Sequence, residues 1–161
     1  PFIPNSSDSK AWDYANNSVP STPPIKVGNQ LRFYYSSRNT LHNMIPNDGF
    51  IGMGTTRVDG FYSMDAGKSG GTLTTKPLKL EGTKLLVNAD ASEGRLQLEI
   101  LDETGNPITI HGQNVSDSIQ GDKIDHEIQW NSDPNLQSII GKTIWLRFHL
   151  KNGHLYSFWT E

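Results

Sequence analysis

Three dipeptides constrain how this chain can fold: Gly28-Asn29, Asp59-Gly60 and Asn152-Gly153. Each separates two runs of β-prone residues, and Gly and Asn tolerate the positive φ that tight hairpin turns demand. Ile25 and Val27 precede the first pair, and Leu31, Phe33 and Tyr35 follow it. Ahead of the last pair, Ile144, Leu146, Phe148 and Leu150 alternate with Trp145, Arg147 and His149. His154 to Trp159 then reads as the returning strand. Such period-two alternation gives a strand one apolar face. Leu96, Leu98 and Ile100 likewise oppose Arg95, Gln97 and Glu99, and Leu85 to Asp90 and Ile124 to Trp130 read as further strands.

No apolar pattern of helical period extends beyond about two turns. Asp133 to Ile140 reads as one short helical turn, with Asp133 as its cap and Pro134 at its first position. The links are too short for helical crossovers, so the strands are antiparallel. Turn signals at intervals of about 8 to 12 residues point to a sandwich or barrel. The expected fold is all-β: an antiparallel two-sheet β-sandwich, jelly-roll or concanavalin-like, with an N-terminal β-hairpin appendage. Fifteen Gly and nine Pro suit such a turn-rich protein. Pro1, Pro4, Pro20, Pro23 and Pro24 keep helix out of the first 24 residues.

Several classes drop out. The net charge is −3 with Lys and Arg scattered, which argues against nucleic acid and anionic membranes as partners. No run approaches the roughly 18 apolar residues of a membrane span. The absence of cysteine removes disulfides, Cys-ligated zinc and thiol nucleophiles. It is compatible with an exported bacterial protein. The chain begins at Pro1 without a signal-peptide pattern, and reads as a mature or excised piece of something longer.

No complete catalytic constellation emerges. Asp59, Asp102 and Glu103 fall in turns, Glu99 falls on a polar strand face, and Asp90 and Asp122 are the carboxylates least explained by a turn. Gly67-Lys68-Ser69 looks like the end of a phosphate loop, but Tyr62 stands where the first Gly would be. The five histidines show no metal spacing, and His149 points outward from its strand. No cofactor is expected. Calcium would draw on the oxygen-rich loops at 88–93 and 114–125, which lack a dense acidic pattern.

Together, Trp12-Asp13, Pro23-Pro24 and Leu31 to Arg38, then Phe50 to Leu80, Leu85 to Asp90, Gly141 to Phe148 and Leu155 to Phe158 carry a resemblance. They resemble the junction between a β-propeller and a C-terminal β-sandwich in bacterial glycoside hydrolase-like proteins, of an architecture similar to glycoside hydrolase family 32. The resemblance implies that residues 1–48 are the end of a propeller blade and that residues 49–161 are a β-sandwich domain. It also implies that the catalytic carboxylates belong to a propeller outside this chain.

Sugar contact calls for exposed aromatic faces beside polar forks. Trp12, Tyr14, Trp130, Trp145, Tyr156 and Trp159 are the aromatics to weigh, and Trp145 and Trp159 alternate against the inward sets. Arg38 and His42 follow the Tyr34-Tyr35 strand, in the loop that the resemblance places near a propeller mouth. The substrate-binding candidates are therefore Arg38, His42, Trp145 and Trp159. The expected function is a non-catalytic sandwich module that braces a missing propeller domain or partner chain and contacts carbohydrate. The alternatives are an autonomous carbohydrate-binding module, or part of a glycosidase site completed by another chain.

Overall fold

The computed structural model describes residues 2–18, 22–44 and 49–161. Pro1, Pro20 and the expected domain end at residue 48 lie outside the described residues. The chain forms two compact units, Pro1–Val58 and Asp59–Glu161. Both are built from antiparallel strands, one sheet in each, so the all-β antiparallel expectation holds.

In the first unit, β1 (Asn16–Asn17), β2 (Ile25–Val27), β3 (Gln30–Arg38) and β4 (Phe50–Arg57) form a sheet centred on β3. Gly28-Asn29 closes the expected two-residue hairpin, with Val27 paired to Gln30. Gly28 alone takes positive φ (58°), as a turn with Gly at its first central position requires. Ser37, fully buried, donates its hydroxyl to the Asn16 carbonyl at 3.0 Å and ties β1 to β3.

Residues paired directly across an antiparallel ladder share a face. Phe33 and Tyr35 lie opposite Gly54 and Gly52, which leave room for rings. The N-terminal segment fills that face: Phe2 meets Phe33 edge-on at 5.0 Å, and Trp12 stacks on Tyr35 at 6.1 Å. A Cβ on Gly52 would come within 2.5 Å of both the Trp12 and Tyr35 rings. The other face carries Ile25, Val27, Tyr34, Ile51 and Met53, all exposed, with Ile51 at 83%.

The second unit holds β5 (Met64–Ala66), β6 (Gly71–Thr74), β7 (Leu78–Lys79), β8 (Leu85–Leu101), β9 (Ile119–Glu127), β10 (Thr143–Lys151) and β11 (Gly153–Thr160) in one nearly closed, barrel-like sheet. Its organising feature is the 17-residue β8. The run 143–160 lies antiparallel along it, with β10 on its second half and β11 on its first. Asn152-Gly153 is therefore a corner and not a hairpin, since β10 and β11 pair with β8 and not with each other. The reason lies in the backbone. A turn of the Asn-Gly kind needs positive φ at both residues, and only Asn152 has it (48°). Its N–H donates to the Gly67 carbonyl at 3.0 Å and its side chain to the Glu93 carbonyl at 2.7 Å.

Asp59-Gly60 also departs from the hairpin reading. Asp59 has φ 51°, Gly60 stays out of the left-handed region, and the strands on either side pair elsewhere: β4 with β3, β5 with β11. The pair hands the chain from the first unit to the second. The expected helical turn reduces to a 3₁₀ turn at Gln137–Ile139, preceded by an Asp133 side chain that accepts the Asn135 N–H at 2.8 Å.

The pairing of the second sheet is interrupted along one line: Gly67–Gly70 between β5 and β6, Asn152 between β10 and β11, Ser92–Gly94 on β8 and Gln120 on β9. Folding the sheet there encloses Leu85, Val87, Leu96, Leu98, Ile100, Leu146, Phe148 and Trp130. Trp130 is wholly buried, which takes it out of the sugar-binding aromatics.

Candidate functional site

Strand alternation fixes what faces outward beside this corner. With Leu96, Leu98, Ile100, Leu146, Phe148 and Leu150 in the core, β8 turns out Arg95, Gln97 and Glu99, and β10 turns out Arg147, His149 and Lys151. The register then sets Arg147 opposite Glu99, His149 opposite Gln97 and Lys151 opposite Arg95. Thr72 of β6 flanks His149 on the far side.

Of these, Thr72, Arg95, Gln97, Glu99, His149 and Lys151 line a groove of about 560 Å³. Within it the Glu99 carboxylate, 13% exposed, is held by Arg147 Nη1 at 3.3 Å and His149 Nε2 at 2.9 Å. The Gln97 amide donates to the Ser116 carbonyl at 3.2 Å. A second groove, about 580 Å³, adjoins Arg95 and Lys151 on the corner side and adds Lys68, Glu93 and Gln120. Arg95 and Lys151 line both grooves. Among the described residues neither side chain has a hydrogen-bond or ion-pair partner. The arrangement can hold a polar or charged ligand, while its one well-shielded carboxylate is already held by Arg147 and His149.

A second polar row crosses the other half of the sheet. Asp65, His154, Asp90 and Asp122 are successive register partners on β5, β11, β8 and β9. Asp65 Oδ1 meets His154 Nδ1 at 2.7 Å; this bond, aided by Ser63, holds the Asp65 carboxyl below the usual carboxylate range. Asp90 is bound into its own turn: Oδ1 accepts the Ser92 N–H at 3.0 Å and also the Ser92 hydroxyl. Asp117, from the 114–125 loop, accepts the Ser132 N–H at 2.7 Å. Among the described residues no grouping of three His, Asp or Glu side chains is placed to hold a metal ion.

The residues singled out from the sequence fall in separate places. Arg38 ends β3, half-buried, with its carbonyl accepting the Ala15 N–H at 3.1 Å. His42 is exposed in the following loop of the same unit. Trp145 and Trp159 both lie half-buried on the outer side of the second unit, Trp145 by alternation and Trp159 through the register shift between Leu155 and Ser157. Their register partners, Leu101 and Leu86, stand toward opposite ends of β8, so the two indoles do not form one platform. Trp159 donates its Nε1–H to Glu161 Oε1 at 3.2 Å.

The Arg95–Lys151 pair escaped sequence reasoning. The alternating Arg95-Gln97-Glu99 and Arg147-His149-Lys151 patterns were visible, but their juxtaposition depends on a pairing that the assumed hairpin concealed. Compared with known protein families, with curated proteins and with solved structures, the chain finds no match.

Proposed function

We propose that this chain is the non-catalytic C-terminal part of a glycoside hydrolase-like protein. Its first unit adds to a β-propeller, and its second unit, read as a β-sandwich of jelly-roll kin, braces the propeller and contacts glycan. The observation that carries this reading is the uneven sheet of the first unit. One face is partly covered, with Phe2 and Trp12 laid on Phe33 and Tyr35 over paired glycines, while the other leaves Ile25, Val27, Tyr34, Ile51 and Met53 exposed. A small antiparallel sheet with one covered and one bare apolar face suits a blade that stacks on a neighbour, because exposed apolar patches mark contact surfaces. Several carboxylates are occupied by local donors, as at Asp65, Asp90, Glu99 and Asp102, which favours a role without acid–base chemistry.

A panel of aryl glycosides tests the non-catalytic part. The purified chain is expected to release no aglycone above background, and sustained turnover would overturn the reading. A glycan array with Arg38→Ala and Trp145→Ala alongside tests sugar contact at the residues chosen from sequence.

A further inference from the structure

We propose that the corner of the second unit is a binding site for a uronate-bearing oligosaccharide, with Arg95 and Lys151 gripping its carboxylates. The inference deepens the glycan contact proposed above and rests on that reading.

Folding alone does not favour the arrangement at this corner. Arg95 and Lys151 are direct register partners and so share a face of the sheet. Like charges directly opposite each other destabilise a sheet. Among the described residues no carboxylate or carbonyl satisfies either group. The nearby Glu99 does not relieve the repulsion, because Arg147 and His149 bind it. Lys68 adds a further cation at the edge of the corner groove. Glu93 supplies one anion to the same groove against Lys68, Arg95 and Lys151, so a chain of net charge −3 carries an excess of positive charge at this concave place.

The shape suits an extended ligand more than a free ion. Two grooves of about 560 and 580 Å³ run off either side of the pair, each of the size that small ligands occupy. Thr72 and Gln97 on one side and Gln120 on the other offer neutral hydrogen-bonding groups for hydroxyls. The Arg guanidinium presents a planar fork that matches a carboxylate, and Lys a compact point charge. Acidic sugars carry such carboxylates at regular intervals, with hydroxyls between them.

The test is calorimetric titration of the whole chain with trigalacturonate, with a neutral galactose trisaccharide and inorganic sulfate in parallel. Trigalacturonate is expected to bind, with the neutral trisaccharide and sulfate at least tenfold weaker. Arg95→Gln or Lys151→Gln is expected to weaken trigalacturonate binding tenfold or more each, the scale of losing one charge-assisted hydrogen bond. Raising the salt should weaken it further. Lys151→Glu should abolish binding while raising the melting temperature, since it turns a like-charge pair into an ion pair. A purely structural role for Lys151 would not produce that combination.

Absence of trigalacturonate binding, equal binding of the neutral sugar or of sulfate, or indifference to the substitutions would each overturn the site. These failures are separable from failure of the functional reading. If the chain binds neutral glycans through Trp145 or Arg38, or binds none and hydrolyses none, this site falls and the accessory role stands. Turnover of aryl glycosides would remove the accessory role itself.

Discussion

Gly94 lies so close to the carbonyl oxygen of Lys151 that no side chain fits between them. The same closeness recurs at Gly153, where a Cβ would stand 2.6 Å from the Asp90 carbonyl oxygen. These two glycines let the two strands pass in close backbone contact at the corner, where their pairing is interrupted. Gly94→Ala is therefore expected to destabilise the second unit by about 3 kcal/mol, because the clash is with backbone and cannot be relieved by a side-chain rotation. Gly67→Ala, with open space around its Cβ, should change stability by less than about 0.5 kcal/mol. Urea denaturation of the two variants checks the contrast.

In the first unit, Gly52 plays a comparable part against rings instead of backbone. Gly52→Val would drive a side chain into Trp12 and Tyr35. The expected result is a loss of about 1–3 kcal/mol and release of the N-terminal segment, read as faster limited proteolysis before residue 18. Protection like that of the parent chain would count against the packing described for this face.

Stability should fall in acid for identifiable reasons. The Glu127 carboxyl is held below its ordinary range first by the Lys84 hydrogen bond, and the Asp102 carboxyl first by the Thr104 hydroxyl. The Asp65 carboxyl is held low by His154. For each, the unfolded chain takes up protons at higher pH than the folded chain does. Their stabilisation is thus complete above the ordinary carboxylate range, and is lost as pH falls through about 4 towards the folded values. Lys84 behaves oppositely: its hydrogen bond with Glu127 raises its pKa, so its contribution is lost only as pH rises through that raised value, above about 10. Urea midpoints should be flat in these terms between about pH 5 and 10 and drop below about pH 4. Asp102→Asn should lower the neutral midpoint and shallow the acid slope.

Trp130 combines full burial with an indole N–H that meets no acceptor among the described residues. Trp130→Phe removes that unsatisfied donor while keeping most of the ring, so it should cost less than about 2 kcal/mol. Trp130→Ala should cost about 3–5 kcal/mol through the cavity it leaves. Equal losses in the two variants, measured by chemical denaturation, would mean that the N–H has a partner after all.

The strands were legible in the sequence because alternation registers burial residue by residue. Leu96, Leu98, Ile100, Leu146, Phe148 and Leu150 all enter the core on the expected side. The pairing was less legible. Gly28-Asn29 and Asn152-Gly153 look alike as text, yet one reverses the chain and the other bends it, since the outcome depends on which residue takes positive φ and where its N–H finds a partner. Trp145 could be assigned to the outer face from its alternation with Ile144, Leu146 and Phe148, whereas Trp159, four residues beyond the buried Leu155, reaches that face only through the register shift between Leu155 and Ser157. Their separation along β8 follows only once the turn between them is known to be a corner. The same misreading hid Arg95 opposite Lys151, which no local pattern reveals.

The bare face of the first unit offers the most direct measurement. The chain has no cysteine, so Ile51→Cys creates a unique thiol on β4. Rapid reaction with a maleimide is expected in the isolated chain, and slowing by tenfold or more in the longer polypeptide that carries the propeller. Equal rates in both, or a parent polypeptide without a propeller, would contradict the proposed role.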